Sequence, residues 1–165
     1  MKINLISISF LLAIFIGNST VCAEMTVGDN SDLCPQNRKT ITAPRAYLEK
    51  KNPLRKEFRH IKKGKELSHI KAKPIACKQC HGMGGNGQGA MSLNMNPKPR
   101  NFTCNSTMST ISDGQLFWII KNGSKGTPMP SYSHLSNRKV WQLIHYIRSL
   151  SVSYTHLTLP TNREV

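Results

Sequence analysis

The sequence predicts an all-α domain of three to four helices joined by long loops. Two segments near the C-terminus place apolar residues at helical spacing: Leu116, Ile119 and Ile120 in one, Val140, Leu143, Ile144 and Ile147 in the other. The stretches 82–109 and 123–135 are rich in Gly, Pro and Asn, which favour turns and loops. No run alternates apolar and polar residues as a half-buried strand does, and no internal repeat is visible.

In chain order, the first element is not part of the fold. Met1-Lys2 is a short basic start, Ile3 to Ile16 is almost wholly apolar, and Val21-Cys22-Ala23 precedes Glu24. This order predicts a cleavable export signal over residues 1–23, cut after Ala23, and hence a periplasmic protein. The apolar run is shorter than the roughly 20 residues that a membrane span needs. Residues 24–57 are polar, basic and interrupted by Pro35, Pro44 and Pro53, so they read as an irregular extension that wraps or trails from the domain.

The domain proper is read as residues 58–150. Segment 58–71 has Phe58, Ile61, Leu67 and Ile70 in a moderately helical pattern. Ser112 and Gln115 have capping-box spacing at the start of a helix over 112–122, and Gly123 follows as its terminator. Ser136 is a good N-cap for the last helix. The stretch Ser153-Tyr-Thr-His-Leu-Thr-Leu-Pro-Thr161 resembles translated sequencing-adapter read-through. Residues 151–165 are therefore set aside, as either a non-native or a disordered native tail.

Charge narrows the classes of partner. Lys and Arg total 23 against 8 Asp and Glu, a net charge of +15. Such a field favours acidic proteins, anionic membrane surfaces or nucleic acid, or else simply solubilises the chain. Nucleic acid is excluded by the expected export and by lysines spread over 50–73 without interleaved aromatics. With so few acids, no carboxylate pair or triad suggests acid–base or nucleophilic catalysis.

The chemistry lies in Cys77-Lys-Gln-Cys80-His81. Two cysteines three apart present both sulfurs from one helical turn, and the adjacent imidazole can reach a metal beside them. This is the attachment pattern of c-type haem: two thioethers to the porphyrin and His81 on iron. A zinc ribbon would want a second Cys-x-x-Cys, and a thioredoxin-like site a βαβ context; neither exists. Gly82-Met83-Gly84-Gly85-Asn86-Gly87 matches a dinucleotide fingerprint in form only, because no strand precedes it and no acid follows at the required distance. A loop-rich core of this size would also be short of buried apolar surface without a large planar cofactor.

Met83, Met91, Met95, Met108, Met129, His134 and His145 all lie beyond His81 as candidates for the sixth iron ligand. Met129, in the proline-bracketed Pro128-Met129-Pro130 loop between two helices, is the foremost, against the plain reading of an ordinary loop methionine. Cys34 and Cys104 are left as an even pair, which an oxidising compartment would bridge or leave as thiols.

Residues 61–150 resemble the small class I cytochromes c of bacterial respiratory chains. Gly64-Lys-Glu-Leu67 leading into Cys77-Lys-Gln-Cys-His-Gly82 is similar to the family's first helix and haem motif. Asp113-Gly-Gln-Leu-Phe-Trp-Ile-Ile-Lys-Asn-Gly123 with Gly126-Thr-Pro-Met-Pro130 is similar to its middle helix and methionine loop, and Val140-Trp-Gln-Leu-Ile-His-Tyr-Ile-Arg148 to its closing helix. The resemblance implies a small cytochrome c fold wrapped around one covalently bound haem c, with His81 and Met129 as axial ligands. It implies a close contact between Gly64 and Tyr146. It also implies that Pro97 or Pro99, with Pro99 preferred, offers the carbonyl that orients His81.

The expected function is one-electron transfer between respiratory or sulfur- or nitrogen-oxide redox partners, not enzymatic catalysis. The expected partners are acidic redox proteins, with transient contact to a membrane-bound oxidoreductase, and the expected state is a monomer or weak dimer. One alternative is a haem-c subunit of a multi-subunit oxidoreductase. Another is a haem sensor or peroxidase with an open sixth site.

Overall fold

The computed structural model describes residues 34–36 and 39–151. The expected export signal, its cleavage point after Ala23 and residues 152–165 lie outside the described residues. The described chain is all-α: six helices, α1 (Arg45–Leu48), α2 (Phe58–Glu66), α3 (Lys78–His81), α4 (Asn105–Met108), α5 (Asp113–Asn122) and α6 (Asn137–Leu150), with no strand among the described residues. None of these helices is long and apolar enough to cross a membrane.

α2 and α6 form the main helix pair. They approach at Gly64, where an added Cβ would strike the Gln142 carbonyl and come within 2.9 Å of Tyr146 Cβ, so only glycine permits the crossing. A single π-helical turn, Leu67–Lys71, continues α2 and ends at the buried Ala72. α5 packs across α6 through Phe117 and Trp141, whose ring centroids are 4.5 Å apart. The four apolar positions read on the last helix are all buried, and Val140 and Ile144 have no exposed surface.

Local signals account for the helix ends. Ser112 Oγ accepts the Gln115 N–H at 3.1 Å, capping α5. Gly123 ends it at φ +76°, a conformation open to glycine. Ser136 precedes α6 without a capping hydrogen bond from its side chain.

The segment before α2 is more ordered than its composition suggested. Cys34 and Cys104 form a disulfide that closes a long loop onto α4. Residues 39–48, hereafter the strap, cross α5: the Gln115 side chain accepts from Ala43 N–H at 2.7 Å and donates to the Ile41 carbonyl at 2.9 Å. Gly114 lets the Tyr47 carbonyl lie directly on α5. Further on, Asn52 donates to the Trp141 carbonyl and His145 faces the Leu54 carbonyl, both at 2.9 Å, so residues 52–54 cover the outer side of α6.

Candidate functional site

The Cys77–His81 motif folds as one helical turn, with His81 N–H on the Cys77 carbonyl at 2.9 Å. The following glycines wrap it. Gly87 N–H bonds the His81 carbonyl and Gly89 N–H the Cys80 carbonyl, at 2.8 and 3.0 Å. A Cβ at Gly89 would collide with the Gln79 carbonyl. Cys77 and Cys80 are thiols on the wall of a cavity of about 630 Å³. Burial pushes the Cys77 thiol up to about 11, the reverse of what an activated thiolate requires.

Cys77, Cys80, His81 and Met129 all line this one cavity, with Ile75, Phe102, Leu116, Ile119, Ile120, Tyr132, Leu143 and Ile147 as its apolar walls. The volume falls within the roughly 300–1,000 Å³ of cofactor pockets. Two thiols from one turn, an imidazole beside them and a thioether in an apolar chamber are the donor set that a covalently held haem requires, so the residues present fit that group. Of the other sixth-ligand candidates, Met91 and Met95 also line the cavity. Met83 is exposed, and Met108 is fully buried in the core, where it is not part of the cavity wall. His134 is exposed, and His145 is engaged with Leu54 on the outer side of α6.

Met129 is held by its own loop. Its carbonyl accepts Ser124 N–H at 3.2 Å, its N–H meets Thr127 Oγ1 at 3.3 Å, and Gly123 leaves room for that carbonyl where a Cβ would stand 2.9 Å from it. Tyr132 O–H donates to the Ile75 carbonyl at 2.6 Å, joining the methionine loop to the chain just before Cys77.

The carbonyl that orients the imidazole differs from the expectation. His81 Nδ1 faces the Arg100 carbonyl at 2.9 Å, while the Pro99 carbonyl accepts from Gln36 Nε2 at 2.9 Å. Pro99 and Pro97 line the cavity. The physical reason lies in the path of the loop. Pro99 is buried beside Gly87, where a Cβ would stand 2.8 Å from its carbonyl, which the Gln36 amide holds, and the next carbonyl is the one that meets the imidazole. With Nδ1 at the Arg100 carbonyl, Nε2 is the ring nitrogen through which His81 would hold a metal.

Sequence reasoning also missed Phe102, stacked on His81 with centroids 4.4 Å apart and planes 17° from parallel. It missed the strap residues Thr40, Thr42 and Leu48, which line the same cavity. No local pattern marks these residues, because each reaches the site by a long-range contact.

Residues 61–151 match the family model described as cytochrome c. No curated protein matches. Among solved structures, the chain is similar to one from the Kuenenia stuttgartiensis reducing HAO-like protein complex. That match has a TM-score of 0.53 and 30 % identity, over 69 % of this chain and 52 % of that one. The chain thus spans about half the length of that relative.

Proposed function

This chain belongs to the cytochrome c family, and on that premise we propose that it is an exported, monohaem one-electron carrier. Membership brings a covalently bound haem c; the sequence has one Cys-x-x-Cys-His, which supports a single attachment. The observation that carries the reading is the convergence of Cys77, Cys80, His81 and Met129 on one largely apolar cavity. When bound, haem c supplies a one-electron couple at its iron. Cys77 and Cys80 would hold the ring, and His81, oriented by the Arg100 carbonyl, would hold iron from one side. Met129 would close the other, leaving no position for oxygen or peroxide, and its soft thioether favours the reduced state. The apolar walls exclude water and raise the potential further.

Export rests on the N-terminal pattern and agrees with the Cys34–Cys104 disulfide, which suits an oxidising compartment. N-terminal sequencing of the purified protein should begin at Glu24. The net positive charge supports acidic redox proteins as partners.

An optical and redox titration tests the reading. The expected result is a reversible one-electron transition and a methionine–iron absorption band that Met129→Ala abolishes. A band that survives the substitution would move the sixth ligand to Met91 or Met95. A wild-type spectrum without the band would favour the open-site sensor or peroxidase.

The likeness to a chain of the reducing HAO-like protein complex favours a second reading, a haem-c subunit of an oxidoreductase assembly. Sedimentation of the protein from its own host separates the two. A monomer or weak dimer supports the carrier, and a stoichiometric complex supports the subunit.

A further inference from the structure

We propose that Gln36 is a positioning residue for the iron ligand His81, so that a segment outside the span matching the family sets the electron affinity of the site. The proposal rests on the reading that His81 holds the iron of one bound haem. Gln36 acts on the imidazole through the main chain of residues 99–101.

The side-chain amide of Gln36 makes two complementary bonds on either side of Arg100. Its Nε2 donates to the Pro99 carbonyl at 2.9 Å, and its Oε1 accepts from Asn101 N–H at 2.7 Å. The carbonyl between them, that of Arg100, is the one that meets His81 Nδ1 at 2.9 Å. Phe102 then stacks on the same imidazole. Gln36 therefore holds residues 99 and 101, and residues 100 and 102 hold His81. An amide offers a donor and an acceptor together, so it can pin a peptide segment at two points and fix the direction of the carbonyl between them.

Gln36 is itself anchored. Its N–H donates to Thr107 Oγ1 on α4 at 3.3 Å, and two residues before it Cys34 is bonded to Cys104, which immediately precedes that helix. The chain of contacts thus runs from α4 through Gln36 and the Arg100 carbonyl to the imidazole. An imidazole whose Nδ1–H is accepted by a carbonyl is a more basic ligand through Nε2. A more basic ligand stabilises the oxidised iron over the reduced, so loosening Gln36 favours reduction.

The test is the reduction potential of the holoprotein in Gln36→Leu, Thr107→Val and Asn52→Ala, with solvent exchange of the His81 Nδ1 proton followed in the reduced form. Gln36→Leu removes both side-chain bonds. It should lower the oxidised-to-reduced ratio, at the wild-type midpoint, by about three- to tenfold and speed the exchange. Thr107→Val removes the hydroxyl that holds Gln36 N–H and should move both readings the same way by less. Asn52→Ala is the control for stability. It loosens the N-terminal segment at the Trp141 carbonyl instead, and should lower the thermal midpoint with the potential unchanged. The methionine–iron band serves as a control for ligation.

An unshifted potential in Gln36→Leu, with the band intact, overturns the proposal whatever the loss of stability, and so does an equal shift in Asn52→Ala. Should Gln36→Leu lose the haem or the band, Thr107→Val decides: a shifted potential supports the proposal and an unshifted one overturns it. A wild-type protein without covalent haem would instead overturn the underlying reading before any variant is compared.

Discussion

Gly64 shows how one missing side chain sets a helix crossing. Its backbone lies against the Gln142 carbonyl, with no space for a Cβ. Gly64→Ala should cost about 1–3 kcal/mol, read as a lower midpoint in thermal unfolding, because neither helix can yield without losing core contacts. Tyr132 acts at the same scale. Tyr132→Phe removes the donor to the Ile75 carbonyl. It should cost about 1 kcal/mol in denaturant unfolding and weaken the methionine–iron band as the Met129 loop loosens. An unchanged band would show that Ser124, Thr127 and Gly123 suffice to place Met129. The Cys77–His81 turn was legible in the sequence because its chemistry is local, three residues apart on one turn. The partner of His81 Nδ1 was not: Pro99 and Arg100 are neighbours, and only the path of the loop around Gly87 and Gln36 selects Arg100.

At the scale of elements, the helices of 112–122 and 136–150 were readable because their apolar positions face the core; over 58–71 the helix forms, but of the apolar positions read there Leu67 is buried while Phe58 and Ile70 are exposed. The strap was not readable. It has no period, and its order comes from Gln36, Gln115 and the Cys34–Cys104 disulfide, all contacts to residues more than 60 positions away. Its single helical turn, α1, is held by Tyr47 stacked on Phe117 at 6.4 Å. Cys34→Ser opens a loop with a sequence separation of 70 residues and should cost about 4 kcal/mol by chain entropy. Urea unfolding measures that cost, and amide exchange at Ala43 should rise with it. A loss below about 1 kcal/mol would mean that the Gln115 bonds alone hold the strap.

At the scale of the molecule, charge and pH response are collective. Glu49, Glu57, Glu66 and Asp113 each pair with a nearby cation, so the acids of the described residues are already neutralised and a strong positive field remains. Much of it comes from residues 50–73, whereas the cavity wall carries Arg100. Electron transfer to an acidic partner should therefore slow as ionic strength rises and the Debye length falls below about 10 Å. A flat response would remove any steering role.

Burial, with Arg59 and Arg138 adding to it, holds the His60 imidazole below its ordinary value of 6.5, and burial does the same for His69. The unfolded chain thus binds protons that the folded one resists. Stability should be complete above about pH 6.5 and decline as pH falls toward the lower folded values. Thermal midpoints measured from pH 7.5 to 5 check this, and His60→Gln should flatten part of the decline.

By itself the sequence determined the all-α class, the Cys-x-x-Cys-His turn and the apolar stripes of the last two helices. Covalent spacing and apolar periodicity are properties of a few consecutive residues. Only the tertiary structure decided which carbonyl holds His81, that Phe102 stacks on it, and that the strap lines the cavity. Those contacts join segments far apart in the chain, and their energies exist only once the core has closed.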